Sequence, residues 1–377
     1  MLFQSPPPPP AEIQTAPITT AAITPSATED LRPWYERFTV GGYGEIHYNG
    51  TEGPGQDQID LHRLVLYLGY EFSDWIVMHS ETELEHAKVE DGDGELKVEQ
   101  WHLDFLFSQD VNVRAGRYLQ PLGITNRIHE PPTFFGVERS LFDTRMIPTT
   151  WSGDGVGLFG DLSETLKYEF YFGSSLDGSE FSAVGGIRNG RMSERPGLSQ
   201  PAFSGRLGWQ ATNELAVGFS FFQGGLNNGD QGVNPGVDAD LTLLCLDAQA
   251  RLGDFELRGA TAVSFVDGAA TIGNDVGKRQ EGTTLEAAWH CFPQGWRSGR
   301  FSESDAALFL RWDAVDTQAA EYLGSADVPA ADRTEWTVGL SWWPVRNLVF
   351  KADLQFRDDR SNEDLPELFN LGLGWQF

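Results

Sequence analysis

The chain has 377 residues and a formal net charge of -28, from 55 acidic and 27 basic side chains. A charge of this sign and size repels nucleic-acid phosphates, so we expect no nucleic-acid partner. The longest apolar run, Leu64 to Tyr70, is too short for a transmembrane helix, which needs roughly 18 or more apolar residues. A membrane-spanning β-strand needs only about 9–11 residues, so a transmembrane β-barrel is not excluded.

The first 37 residues differ in composition from the rest. Five prolines run from Pro6 to Pro10, and Thr, Ala and Pro dominate the residues that follow. Such a segment cannot bury a core, so we predict a disordered, Pro-rich periplasmic segment over 1–37 and a separate barrel domain over 38–377. The basic and apolar regions of a secretory signal are not visible, so export would use a signal that this sequence does not display. Cys245 and Cys291 fall on different predicted strands, which favours unpaired thiols but leaves a disulfide open.

From Phe38 onward, apolar and polar residues alternate with a period of two. In LVFKADLQFR, the side chains of Leu348, Phe350 and Leu354 share one face, and those of Lys351 and Asp353 share the other. The same alternation predicts sixteen strands, over 38–48, 60–71, 75–86, 95–107, 111–120, 153–161, 166–174, 202–210, 214–223, 239–251, 254–266, 282–291, 304–314, 333–343, 347–358 and 368–377. An even number of strands is typical of outer-membrane barrels.

The predicted connections differ in length between the two ends of the strands. Those after even-numbered strands are mostly tight, as at 72–75 and 211–214, whereas those after odd-numbered strands are long, as at 121–152 and 175–201. Outer-membrane barrels have short periplasmic turns and longer external loops. The pattern therefore predicts an all-β fold: a sixteen-stranded antiparallel transmembrane β-barrel. The connection at 290–304 is an exception, because it is long at the end where the turns are short.

The chain ends in an alternating strand with an aromatic final residue. In LGLGWQF, the side chains of Leu371, Leu373, Trp375 and Phe377 share a face. A terminal strand suits a closed barrel, where it pairs with the first strand. Trp375 and Phe377 resemble the assembly signal that the outer-membrane insertion machinery recognises. We expect the apolar faces to contact outer-membrane lipid and lipopolysaccharide, with interfacial girdles formed by Trp34, Tyr35, Trp75, Trp209, Trp342, Trp343 and Trp375.

Several stretches resemble one family of bacterial outer-membrane porins. They are GYGEIHYN (42–49), DLHRLVLYLGYEFSDWI (60–76), ETELEHA (81–87), GELKVEQWHLDF (94–105), AGRYLQPLGITNRIHEPPTFFGVER (115–139) and MIPTTWSGDGVGL (146–158). Over residues 42–160 the chain is similar to the phosphate-selective porin O and P family. The resemblance implies a sixteen-stranded barrel that assembles as a homotrimer in the bacterial outer membrane. It also implies that small anions such as phosphate pass through it.

In sixteen-stranded porins the third long loop folds inward and narrows the pore, which assigns this role to 121–152. Pro121, Pro131, Pro132 and Pro148 would fix its corners, and Phe134 and Phe135 would anchor it to the inner wall. The charges that it would bring to the constriction are Glu130, Glu138, Arg139 and Arg145. The alternative is that these charges pair with one another and only hold the loop together.

Side chains that alternate with the apolar face would line the pore. The charged candidates include Glu45, Arg63, Glu81, Glu83, Arg114, Arg206, Arg258 and Arg311. The arginines could form part of a ladder for a dianion, which needs several fixed cations or N–H donors. The alternative is that each arginine pairs with a carboxylate of the wall. Because both signs are abundant, we predict weak ion selectivity and no tight phosphate block.

No enzyme motif, cofactor site or metal site emerges. The seven histidines lack zinc-site spacing, and the acidic stretches at 90–95 and 227–240 do not match a complete calcium loop. The sequence therefore predicts a passive porin for small hydrophilic solutes or ions. The alternatives are a plugged structural or adhesin-type barrel whose loops 175–201 and 315–332 bind a partner, and an outer-membrane enzyme.

Overall fold

A computed structural model describes residues 32–51, 57–87, 94–191, 195–229, 232–234, 236–361 and 365–377. Sixteen of its strands form one closed antiparallel barrel, in which each strand pairs with its neighbours along the chain. This confirms the predicted strand number and the all-β fold. A separate two-stranded hairpin, β10 and β11, lies within one of the long connections.

The strands have the following bounds: β1 Phe38–Thr51, β2 Gln58–Ser73, β3 Ile76–Glu85, β4 Glu95–Leu106, β5 Asn112–Leu119, β6 Ser152–Ser163, β7 Leu166–Gly173, β8 Ala202–Gln210, β9 Leu215–Gly225, β10 Asn228–Gly229, β11 Gly232–Val233, β12 Asp240–Leu252, β13 Phe255–Asp267, β14 Arg279–His290, β15 Asp305–Ala320, β16 Asp332–Val345, β17 Leu348–Asp359 and β18 Leu368–Gln376. Two short α-helices, α1 Leu141–Arg145 and α2 Ala269–Ile272, lie in the connections. No helix among these described ranges is long and apolar enough to cross a membrane.

The last strand closes the barrel on the first, as predicted. β18 pairs antiparallel with β1 from Tyr43 opposite Gln376 to Thr51 opposite Leu368. Beyond the strand, the amide of Phe377 donates to the carbonyl of Gly42 (2.9 Å), and the Gly42 amide donates to the carbonyl of Phe377 (3.0 Å). The terminal residue therefore takes part in the main-chain ladder that removes the free edges of the sheet.

Several barrel strands have one exposed apolar face and one buried polar face. On β17, the side chains of Phe350 and Leu354 are each 42% exposed, whereas Lys351 and Asp353 are 6% and 2% exposed. A closed sheet produces this pattern because successive side chains point to opposite faces. Trp343 was predicted to belong to the interfacial girdle, and this prediction is wrong. Its neighbour Trp342 occupies the outer face, so Trp343 lies on the opposite face and is buried.

Several strands extend further into the connections than predicted, and β14 and β15 are examples. β14 begins at Arg279 and β15 continues to Ala320, which shortens the expected loops 267–281 and 315–332. On β15, Thr317 is 1% exposed, and its hydroxyl donates to the carbonyl of Ala183. The hydrogen bond of the Thr317 hydroxyl is therefore made to another connection, whereas the sequence placed Thr317 in an external loop.

The N-terminal boundary also differs from the prediction. Trp34–Arg37 form a single 3₁₀ turn, and the Trp34 ring packs edge-on against Phe38, with centroids 5.9 Å apart. Ordered structure thus begins before residue 38, because aromatic contacts fix this turn. The rest of the Pro-rich segment, residues 1–31, lies outside the described residues, as do most of the acidic stretch 90–95 and part of 227–240. Both cysteines are free thiols.

Candidate functional site

The connection between β5 and β6, residues 120–151, is the most buried of the long connections. It contains a 3₁₀ turn at Pro131–Thr133 and helix α1, whose N-cap Ser140 accepts a hydrogen bond from the amide of Asp143. Phe142, Met146 and Trp151 are each 1% exposed and belong to a large apolar cluster. We call residues 120–151 the long segment.

Side chains of strands β13, β15, β16 and β17 hydrogen-bond to the backbone of the long segment between residues 132 and 138. Ser341 of β16 donates to the carbonyl of Phe135 (2.6 Å), and Lys351 of β17 donates to that of Gly136 (2.7 Å). The remaining contacts are Asp353 with the Val137 amide (2.6 Å), Trp343 Nε1 with the Pro132 carbonyl (3.1 Å), Arg258 with the Thr133 carbonyl (2.7 Å) and Arg311 with the Glu138 carbonyl (3.3 Å). These donors and acceptors occupy the faces of their strands that alternate with the exposed apolar side chains.

The predicted aromatic anchors occupy this contact region. The Phe135 ring is 2% exposed and stacks on Phe309, with centroids 5.9 Å apart. The Lys351 ammonium lies 3.5 Å from the centre of the Phe134 ring. Aromatic stacking and a cation over a ring face therefore add to the main-chain contacts.

The two predicted constriction carboxylates, Glu130 and Glu138, bind the wall. Glu138 accepts hydrogen bonds from His47 Nδ1 (3.0 Å) and Asn49 (2.9 Å). Burial alone would raise the pKa of Glu138, but the hydrogen bond and charge of His47 lower it to about 2. Glu130 accepts a hydrogen bond from the Tyr67 hydroxyl (3.3 Å). Within the described ranges, no ion pair joins Glu130 or Glu138 to Arg139 or Arg145, so the expected alternative of mutual pairing is not observed.

All five predicted lumen arginines have carboxylate partners on the wall. Arg114 holds Asp104 through two hydrogen bonds of 2.7 and 2.8 Å, a bidentate geometry that gives strong pairing. The others pair Arg63 with Glu45 and Glu83, Arg206 with Asp247, Arg258 with Glu256, and Arg311 with Asp313. In this structure the five arginines therefore form ion pairs with carboxylates of the wall, and they do not form a row of unpaired cations.

A polar cavity of about 180 Å³ lies between the long segment and the wall. Its cationic lining consists of Arg63, Lys97, Arg139, Arg188 and Arg191, and its carboxylate lining of Glu45, Glu83, Glu85, Glu95 and Glu138. His47 and His62 complete its titratable groups. The two signs are thus balanced around the cavity.

Three of the cavity arginines have no ion-pair partner among the described residues: Arg139, Arg188 and Arg191. Arg191 donates to the carbonyls of Pro148 (3.0 Å) and Thr150 (2.7 Å), and Nη2 of Arg139 is buried without a hydrogen-bond acceptor. Burial, followed by the charges of Arg188 and Arg139, lowers the pKa of Arg191 to about 10. These three guanidinium groups and the side chain of Lys97 are the cavity cations without an ion-pair partner among the described residues.

Sequence reasoning missed several residues at this site. Arg188 and Arg191 lie in a connection that was expected to face the outside, and Glu95 and Lys97 belong to a strand whose polar positions drew no attention. A signal for the first two existed in the apolar residues Leu176, Phe181 and Ile187, each 1% exposed, which bury their connection in the same cluster as the long segment.

No protein-family model matches the chain. An uncharacterized protein of Aquifex aeolicus (strain VF5) is 31% identical over 358 residues, which cover 90% of this chain and 80% of that protein. This chain belongs to the same family as the Aquifex protein. The comparison gives that family no activity, and the specific resemblance to phosphate-selective porins is not confirmed.

Solved structures identify the fold. OmpT of Vibrio cholerae, in its trimer form, matches with a TM-score of 0.58 at 10% identity, covering 90% of this chain and 99% of OmpT. The anion-selective porin of Comamonas acidovorans matches with a TM-score of 0.58 at 13% identity, and the match covers 90% of this chain and 99% of that porin. OmpF of Salmonella typhi, in complex with daunomycin, matches with a TM-score of 0.58 at 12% identity, and the match covers 90% of this chain and 97% of OmpF. The chain therefore has the fold of outer-membrane porins.

Proposed function

We propose that this protein is an outer-membrane porin that allows passive diffusion of small hydrophilic solutes and ions. The observation that carries the proposal is the arrangement of the two strand faces around a closed barrel: large apolar side chains outside and paired charges inside. Apolar strand faces suit contact with lipid, and polar faces suit a hydrated interior. The outer face would contact outer-membrane lipid and lipopolysaccharide, and the trimer form of the OmpT structure supports a homotrimer.

The long segment would be the constriction of this pore. It contacts the buried faces of β1, through Glu138 and His47, and of β13 and β17. A connection that reaches these faces of a closed barrel would reduce the free cross-section inside it. Glu130, Glu138, Arg139 and Arg145 would then lie near the narrowest part of the path.

Selectivity between anions and cations would be weak. The cavity next to the long segment carries equal numbers of cationic and carboxylate side chains, and the remaining interior arginines are neutralised by partners. Charges on outer loops contribute little, because salt screens them beyond roughly 8–10 Å. The unpaired Arg139, Arg188 and Arg191 would be the groups that a passing anion meets.

The test is the zero-current potential across a salt gradient, measured with the purified protein in planar bilayers. We expect a small potential for the wild type and a shift towards cation preference when Arg139, Arg188 and Arg191 are all replaced by Gln. Arg279→Gln is the matched control, because Arg279 is exposed outside the cavity. Strong anion selectivity with phosphate block that the triple variant retains would contradict this account.

A second candidate, a plugged barrel, is favoured by one observation. Apolar side chains of the long segment pack against Phe181 and Ile187 of the next long connection and against Phe222, Leu241 and Leu243 of the wall. Such a cluster would obstruct part of the lumen. Swelling of liposomes in sugars of increasing size separates the two candidates, because a plugged barrel admits none of them.

A further inference from the structure

Three metal-ligating side chains meet where the long segment touches strands β3 and β4. His129 Nε2 lies 3.5 Å from Glu81 Oε1 and 3.5 Å from Glu99 Oε2. The exposures of His129, Glu81 and Glu99 are 3%, 3% and 0%. One imidazole nitrogen and two carboxylate oxygens thus converge on one buried point.

These three atoms lack satisfied hydrogen bonds. Neither ring nitrogen of His129 has a hydrogen-bond partner among the described residues, and neither do Glu81 Oε1 and Glu99 Oε2. A buried polar atom without a partner is costly, and buried charges are normally paired or bind a metal. No lysine or arginine of the described residues lies within ion-pair distance of Glu81 or Glu99, so two carboxylates share one imidazole.

The spacing suits a cation better than it suits hydrogen bonds. A separation of 3.5 Å is long for a charge-assisted hydrogen bond, which is about 2.7–2.9 Å. Two ligands held about 2.1 Å from a Zn²⁺ ion in tetrahedral geometry lie about 3.4 Å apart. The three atoms also lie within 4.8 Å of one another. The two separations from His129 Nε2 therefore match those of ligands around a bound divalent ion.

The outer carboxylate oxygens are fixed by neighbours, as the ligands of metal sites are. Gln100 donates to Glu81 Oε2 (2.6 Å), and the Thr150 hydroxyl donates to Glu99 Oε1. Hydrogen bonds of this kind orient carboxylates so that the other oxygen points at the metal. Thr150 also lines the polar cavity, so the site lies directly behind the cavity wall.

A second histidine cluster does not have these properties. Asp60 Oδ2 lies 3.2 Å from His62 Nδ1 and 2.8 Å from His86 Nδ1. The Arg63 guanidinium, which can only donate, contacts His62 Nε2 at 2.8 Å. His62 Nδ1 must then carry the hydrogen that points to Asp60, and it has no lone pair for a metal. This cluster provides an internal control.

We propose that Glu81, Glu99 and His129 form a binding site for one divalent transition-metal ion, with Zn²⁺ as the probe. A mixed set of two carboxylates and one imidazole suits Zn²⁺ and Mn²⁺. The ion neutralises the two buried carboxylates and ties the long segment to the wall through His129. A water molecule from the cavity completes the coordination.

The test is the zinc content of the folded barrel. The purified protein is treated with a chelator, loaded with Zn²⁺, passed through a desalting column and assayed by mass spectrometry of the metal, with heat-modifiable gel migration as the check of folding. We expect one zinc ion per wild-type chain and a loss of at least tenfold in His129→Gln and in Glu99→Gln. His129 lies on a connection, so its variant keeps all sixteen strands intact if Glu99→Gln fails to fold.

The control variant is His86→Ala, which we expect to retain one zinc ion per chain. A wild-type protein that binds no zinc overturns the proposal and identifies His129 as a charged imidazolium shared by two carboxylates. Zinc that is lost in His86→Ala, or kept in His129→Gln, also overturns it. The assay does not depend on conductance, so its outcome is separate from that of the porin proposal.

Discussion

Charged side chains such as Asp104 can be buried inside this barrel because an oppositely charged side chain holds them, in this case Arg114. Asp104 is fully buried, and the guanidinium of Arg114 satisfies both of its oxygens. Removing one partner of such a pair leaves an uncompensated buried charge, whereas a surface pair contributes little. Interior arginines of this kind have partners in the wall, and in the proposed porin Arg139, Arg188 and Arg191, which have no ion pair among the described residues, would be left to interact with solutes.

The Glu138 carboxylate gives a prediction about pH. Its pKa, lowered to about 2, is below the ordinary value of 4.5, so ionised Glu138 stabilises the folded state at neutral pH, and this contribution is lost as pH falls from about 4.5 through about 2. Because the side chain is 34% exposed, we expect Glu138→Gln to cost only about 1 kcal/mol at pH 7. Urea unfolding at pH 7, 4 and 2 measures this cost.

The difference between wild type and Glu138→Gln should shrink towards zero at pH 2. The matched control is Glu71→Gln, since Glu71 lies at an exposed strand end. A difference that stays constant from pH 7 to pH 2 would mean that the charge of Glu138 does not hold the long segment.

At the scale of the strand, the terminal residue combines two roles that substitution can separate. The backbone of Phe377 forms two hydrogen bonds with Gly42, while its ring is 60% exposed. Deleting Phe377 removes both features, whereas Phe377→Ser removes only the ring. We expect both variants to reduce assembly in the outer membrane, the deletion more strongly.

Assembly is measured as the heat-modifiable fraction in membrane extracts. Phe369→Ser is the control, because Phe369 lies on the outer face of the same strand and is 44% exposed. Normal assembly of Phe377→Ser would show that the terminal ring is not part of a recognition signal, and an equal defect in Phe369→Ser would show that any exposed aromatic suffices.

The elements were largely predictable and their interior partners were not. Period-two alternation marks a strand such as β17 because one face meets an apolar and the other a polar environment. The C-terminal part of β15 was not predicted because the Thr317 hydroxyl donates a hydrogen bond to a residue of another connection, Ala183, which the sequence does not reveal. Glu81, Glu99 and His129 lie on three elements, so no sequence spacing could reveal them. The paired arginines were predicted only as alternatives, because pairing depends on strand register.

On the scale of the whole molecule, the main contact is between the ion-paired barrel wall and the long segment. The long segment packs against the wall through Phe135, Glu138 and backbone hydrogen bonds. The cavity of about 180 Å³ remains between them. In the proposed porin, solute passage would depend on how much of the lumen the long segment occupies, so this segment is central to the proposal.

Single-channel conductance in planar bilayers tests this claim most directly. Residues 131–146 are replaced by a Gly-Ser linker of equal length, which removes the anchoring side chains, and residues 323–327 are replaced in the same way as the control. The account predicts stepwise conductance for the wild type, an unchanged step for the control, and a larger, noisier step for the 131–146 variant. A wild-type protein that inserts without conducting, or a 131–146 variant whose step equals that of the wild type, would contradict it.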